Sequence, residues 1–188
     1  MHITTAALIA ALAASANADV LLLIDLSVDD RLTITATTGT SAATISGRNL
    51  IGIYLQGIIG SEFANSGAGS SVINTTLTPA ANQLGTAPLL RAPGPADYGL
   101  NIYALSDDPT LHFTQGQLAF AGTATFDIPG LYGDFPNGAT SGNIYFPATN
   151  NQGLDDAAIL GTYRVIPSPP ALAPLALFML AASRRRST

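Results

Sequence analysis

QLAFAGTATFDI, residues 117–128, alternates along its whole length: Leu118, Phe120, Gly122, Ala124, Phe126 and Ile128 share one parity, while Gln117, Thr123, Thr125 and Asp127 take the other. A period of two belongs to a strand with one buried and one wet face, and twelve residues of it predict one long strand. RLTITAT, residues 31–37, repeats the pattern, with Leu32, Ile34 and Ala36 set against Thr33, Thr35 and Thr37. Residues 20–28 are more apolar, with Leu22, Ile24, Leu26 and Val28 expected inward and Asp25 and Ser27 outward. Asp29 and Asp30 separate these two runs, so an antiparallel hairpin turning there is expected.

Outward from this pair, further strands are expected at 50–59, 71–78, 98–105, 142–146 and 159–166, with a weaker one at 40–46. Gly, Pro, Asn and Ser cluster at 64–70, 79–95 and 129–138, which reads as connections. A helical turn is expected at 154–158, because Asp155 and Asp156 favour a helix N-terminus. Eight or nine short strands without a helical stripe predict an all-β body over 19–164, an antiparallel β-sandwich or jelly-roll-like fold. No solenoid or propeller period is present.

The 188 residues contain no lysine, cysteine or tryptophan. Between Asp19 and Arg164 stand four arginines and all twelve acids, a net charge of −8. Nucleic acid is thereby ruled out as a partner, since neutralising phosphates takes clustered Lys and Arg. Thiolate metal sites and disulfides are ruled out by composition.

Catalysis needs a nucleophile with a base, paired carboxylates, or a metal. The body offers one histidine, His112, and one glutamate, Glu62. A triad would have to join His112 to Asp107 or Asp108, and no G-x-S-x-G elbow accompanies them. His112 alternates with Leu111 and Phe113, which places it on the polar face of a short strand. No catalytic residue and no required cofactor are expected, so the chain reads as a non-enzyme. Asp107 and Asp108 are the candidates for a calcium site, although adjacent aspartates also serve simply as turn formers. In the loop PGLYGDFPNG, residues 129–138, Tyr132, Asp134, Phe135 and Asn137 combine aromatic rings with a carboxylate and an amide, as a glycan contact requires. The same rings fit equally as plugs for the end of the core.

The two ends carry addresses. Residues 6–14 are apolar and small, and Ala16-Asn17-Ala18 forms a small-x-small site for signal peptidase. Residues 1–18 are therefore expected to be a signal helix cleaved after Ala18. Val165 to Ser183 is a charge-free run of 19 residues, ended by Arg184, Arg185 and Arg186. As a helix it would span about 28 Å, close to a hydrocarbon core of about 30 Å. The prolines confine the helix to roughly 170–183, about 21 Å, which suits a transient anchor better than a permanent one. The arginines are expected to stay cytoplasmic.

Pro167-Ser168-Pro169, the hydrophobic segment behind it and the arginine cluster together resemble the C-terminal sorting signal of PEP-CTERM proteins, with Ser168 where glutamate is usual. The resemblance covers residues 165–188. It implies export, transient membrane retention, cleavage by an exosortase-type protease near the proline motif, and delivery to the cell surface or the exopolysaccharide matrix. The expected function is thus a structural or adhesive role in a bacterial surface or matrix protein. The alternative is a carbohydrate-binding module acting on exopolysaccharide, with a secreted hydrolase third.

Overall fold

The computed structural model describes residues 18–48, 52–59, 71–81, 88–91, 99–104, 110–129, 133, 135, 138–147 and 157–166. Thirteen strands run through them and no α-helix does: β1 (Val20–Asp25), β2 (Arg31–Ala36), β3 (Ile45–Arg48), β4 (Ile53–Leu55), β5 (Ser71–Thr75), β6 (Thr78–Pro79), β7 (Pro88–Arg91), β8 (Leu100–Ala104), β9 (Thr110–Phe113), β10 (Phe120–Ala121), β11 (Thr123–Asp127), β12 (Ser141–Phe146) and β13 (Ala158–Ile166). Nine of them form one sheet in the order β5-β11-β2-β1-β13-β12-β4-β8-β7. Two small sheets pair β10 with β6 and β3 with β9. The described residues are nearly all β, as the alternation predicts.

The hairpin falls where the aspartates place it. The Arg31 N–H donates to the Val28 carbonyl at 3.1 Å, and Asp30 holds φ at 57°, a left-handed position that aspartate tolerates better than most side chains. β1 and β2 then pair antiparallel from Asp25–Thr33 to Leu22–Ala36. Ile24, Leu32 and Ile34 are buried on the inner face, together with Ala124 and Phe126 of β11. On the outer face the threonines of β2 and β11 stand opposite one another, Thr33 to Thr125 at 3.4 Å and Thr123 to Thr35 at 3.5 Å. Such cross-strand hydroxyl pairs stabilise a sheet modestly. Val28, expected inward, is exposed because β1 ends at Asp25, and Leu21 is buried instead, at the register shift between Val20 and Leu22.

Residues 117–128 are not one strand. The run breaks at Gly122, which has φ 87° and lies against the Thr76 carbonyl, where no Cβ has room. Phe120–Ala121 pairs with β6 in a small sheet, whereas Thr123–Asp127 joins the large one. Leu118, expected inward, is 44% exposed and makes only an isolated bridge to Thr40. β6 and β7 lie in the proline-rich stretch 79–95 or at its border, a stretch expected to be a connection. The helical turn expected at 154–158 does not include Ala158, which opens β13.

The sheet is mixed, a correction to the wholly antiparallel expectation. Every described strand pair is antiparallel except β1 with β13, which run parallel at the centre of the sheet, from Val20–Thr162 to Asp25–Ile166. The first and last strands are therefore neighbours, and Asp19 and Ile166 lie at opposite ends of that pair. β13 ends at Ile166, as the strand expected at 159–166 does, and the Val165 N–H donates to the Thr140 carbonyl at 2.8 Å.

The core lies on the inner face of the large sheet. Phe113 of β9 packs into it, with its ring edge-on to Phe146 of β12 at 5.1 Å and to Phe120 of β10 at 5.4 Å. Edge-to-face contacts of this kind add stability beyond the area buried. The terminal segments expected to be helical, apart from Ala18, Val165 and Ile166, lie outside the described residues. Among the described residues no helix is long and apolar enough to cross a membrane.

Candidate functional site

The side chains with most to offer a ligand stand on the outer face where β12 meets β4. β12 alternates, with Ile144 and Phe146 buried inward and Asn143 and Tyr145 turned to the other face, half-buried. Tyr145 pairs with Tyr54 across β4 and with Ile159 across β13. Gln56, just after β4, is exposed and donates its N–H to the Asn143 carbonyl at 3.1 Å.

These neighbours close a triangle. The Tyr145 hydroxyl donates to Gln56 Oε1 at 3.3 Å, and Asn143 Nδ2 donates to Gln56 Oε1 at 3.4 Å and to the Tyr145 hydroxyl at 3.3 Å. All three bonds are at the long end of the range and correspondingly weak. Gln56 Nε2 and Asn143 Oδ1 take no part in the triangle, so each amide keeps capacity toward solvent. The Tyr145 ring leans on Tyr54, centroids 6.4 Å apart at 49°. Ile159, its partner on the other side, is 41% exposed.

The backbone under this face is held from inside. The buried Tyr163 hydroxyl donates to the Gln56 carbonyl at 2.7 Å, and burial pushes its ionisation well above the usual phenol range. Gly142 lets the ring lie there, since a Cβ would meet Tyr163 Cε1 at 2.8 Å. On the next strand Asn101, the register partner of Tyr54, is buried with its side-chain carbonyl oxygen unpaired. Tyr145, Asn143 and Gln56 are neutral and offer hydroxyl, amide and ring surface, chemistry suited to stacking and hydrogen bonding.

A second feature marks where the fold begins. The Asp19 carboxylate accepts from the Thr40 N–H at 2.8 Å and from the Thr40 hydroxyl at 2.9 Å, and these bonds hold it below the usual carboxylate range. The Asp19 main-chain carbonyl accepts from the Thr162 N–H at 2.9 Å and hydroxyl at 3.1 Å. At the other end of the β1–β13 pair, an open groove of about 690 Å³ is lined by Leu23, Thr140, Ser141, Arg164, Val165 and Ile166.

Of the residues expected from sequence to carry function, His112 is exposed on β9, paired with Ser46. Phe135 is 4% exposed and belongs to the core. It fills the plug role and has no face left for a sugar. Tyr132, Asp134 and Asn137 lie outside the described residues, as do Asp107, Asp108, Ala16, Pro167, Ser168, Pro169 and Arg184 to Arg186. Ala18 is half-buried just before β1. Among the described residues no three His, Asp or Glu side chains gather as a metal site would require. The sequence reading missed Gln56, Asn143 and Tyr145: no local pattern links residues 87 and 89 positions apart.

No protein-family model, curated protein or solved structure matches the chain.

Proposed function

We propose that this chain is an exported bacterial surface or extracellular-matrix protein with a structural or adhesive role, sorted through a PEP-CTERM-like signal over residues 165–188. The observation that supports this reading best is how the first and last described strands sit beside the two addresses. Asp19, the residue that cleavage after Ala18 would make first, is already tied through both its carboxylate and its carbonyl. β13 runs to Ile166, directly before Pro167. Among the described residues, cutting at either place severs no strand pairing. The signal helix and the short transient anchor belong to this proposal, with signal peptidase and an exosortase-type protease as the processing partners.

The same reading takes the body as sandwich-like, with the two small sheets as a second layer over the curled large one, in keeping with the Phe113–Phe146 contact. It assigns no catalytic step. A rigid, threonine-faced, acidic β body without lysine suits a passive scaffold.

Replacing Ala16 and Ala18 by glutamine blocks a pocket that takes only small side chains. The expected result is a full-length precursor held in the membrane fraction, while the unaltered protein reaches the cell surface or medium. Cytosolic protein that retains Met1, in either form, overturns the proposal.

A further inference from the structure

The geometry points to a glycan-binding face on β4, β12 and β13, built on Tyr145, Asn143 and Gln56, whose ligand is a neutral β-linked hexose polymer. Three features select that ligand class. The first is the platform: the half-buried Tyr145 ring lies between the buried Tyr54 and the exposed Ile159 in one register row. A β-linked hexose presents a flat face of C–H bonds, which stacks on such a ring and wets it poorly. The second is the polar edge, where Asn143 and Gln56 stand beside the ring with a donor pair and an acceptor outside their mutual bonds. Primary amides can address adjacent sugar hydroxyls as paired donors and acceptors. Because the triangle's own bonds are 3.3–3.4 Å, exchanging them for a ligand hydroxyl gives up little.

The third feature is charge. The rows Ile159–Tyr145–Tyr54 and Thr162–Asn143–Gln56 contain no ionisable acid or base at neutral pH, and the body around them is strongly acidic. Arg164, paired with Ser141 in the next row, is an exposed cation beside these rows, but the acidic field of the body as a whole repels a polyanionic chain and leaves a neutral one unopposed. The supporting shell is fixed in advance, through Tyr163 on the Gln56 carbonyl and Tyr54 on the Tyr145 ring. Preorganisation of this sort keeps the ordering cost of binding low.

The face itself sets the ligand class, and export only supplies the polymer. Failure to bind a glycan in vitro and failure of processing in the host are therefore separate results.

The test is calorimetric titration of the full chain with cellohexaose, with maltohexaose and an alginate hexamer alongside. Saturable binding of cellohexaose in preference to both is expected. Tyr145→Ala should weaken it at least about tenfold, the scale of losing an anchoring aromatic. Asn143→Ala and Gln56→Ala, at partly exposed positions, should each weaken it severalfold with unchanged thermal midpoints, so they decide the matter should Tyr145→Ala fold poorly. No saturable binding to cellohexaose, equal binding to alginate, or full affinity in both amide variants overturns the inference. So does a concentration-dependent dimer that Tyr145→Ala dissolves, which would make the face a contact between copies of the chain.

Discussion

The main-chain carbonyl of Asp19 accepts two hydrogen bonds from Thr162, one from its N–H at 2.9 Å and one from its hydroxyl at 3.1 Å. The residue at the start of the folded body is thereby tied to the last strand, 143 positions away. The tie lies at the start of the parallel pairing of β1 with β13, which runs from Val20–Thr162 to Asp25–Ile166.

Asp19 makes a pH dependence that can be isolated. Its carboxyl is held below the ordinary value by the Thr40 N–H first and the Thr40 hydroxyl second. The folded state therefore binds this proton less readily than the unfolded chain does. The contribution is present above the unfolded value of about 3.9 and is lost as pH falls through the lower folded one. Asp19→Ala should lower the thermal midpoint at about pH 6, and the difference from the unaltered protein should shrink as pH falls below the unfolded value. A difference that stays constant across that range would remove the carboxylate from the account.

Tyr163 predicts the opposite limb. Burial raises its ionisation in the folded state, so folded protein keeps the phenol proton where unfolded chain releases it. Stability should then fall as pH rises above the unfolded value of about 10. Tyr163→Phe should lack that component of alkaline unfolding. At neutral pH it should cost about 1–3 kcal/mol, because the Gln56 carbonyl loses its donor. Urea titrations at neutral and alkaline pH read both effects.

Gly122→Ala should destabilise by about 2–4 kcal/mol in urea denaturation, for a left-handed backbone and a missing Cβ site together. The neighbour is the Thr76 main-chain carbonyl, so adding Thr76→Ala should not restore stability. Recovery in the double variant would mean that the side chain, rather than the backbone, sets the constraint.

Phe135→Ala tests the place of Phe135 in the core. As a core plug its loss should cost about 3–5 kcal/mol. A fully stable Phe135→Ala protein would contradict its place in the core.

Strand chemistry was legible wherever alternation ran without a break. Leu32, Ile34, Ala124 and Phe126 are inward and their threonine neighbours are on the other face, because a half-buried strand writes its two faces directly into the sequence. Leu118 fails the same rule because Gly122 redirects the chain, and a glycine within an alternating run looks like any small inward residue. β7 was hidden by its own first residue, Pro88, in a stretch whose prolines read as a loop. The parallel pairing of β1 with β13 could not be foreseen from either strand alone, since apolar alternation does not encode its neighbour. The Tyr145–Asn143–Gln56 triangle is a further step removed. It depends on a three-residue strand, β4, meeting β12 in one register.

The central claim, that a folded scaffold is cut free at both ends outside the cytosol, is tested most directly by intact-mass measurement of the protein recovered from its native host. The account predicts a first residue at or next to Asp19 and a last residue near Pro167. A mass that includes both Met1 and Thr188 would contradict it.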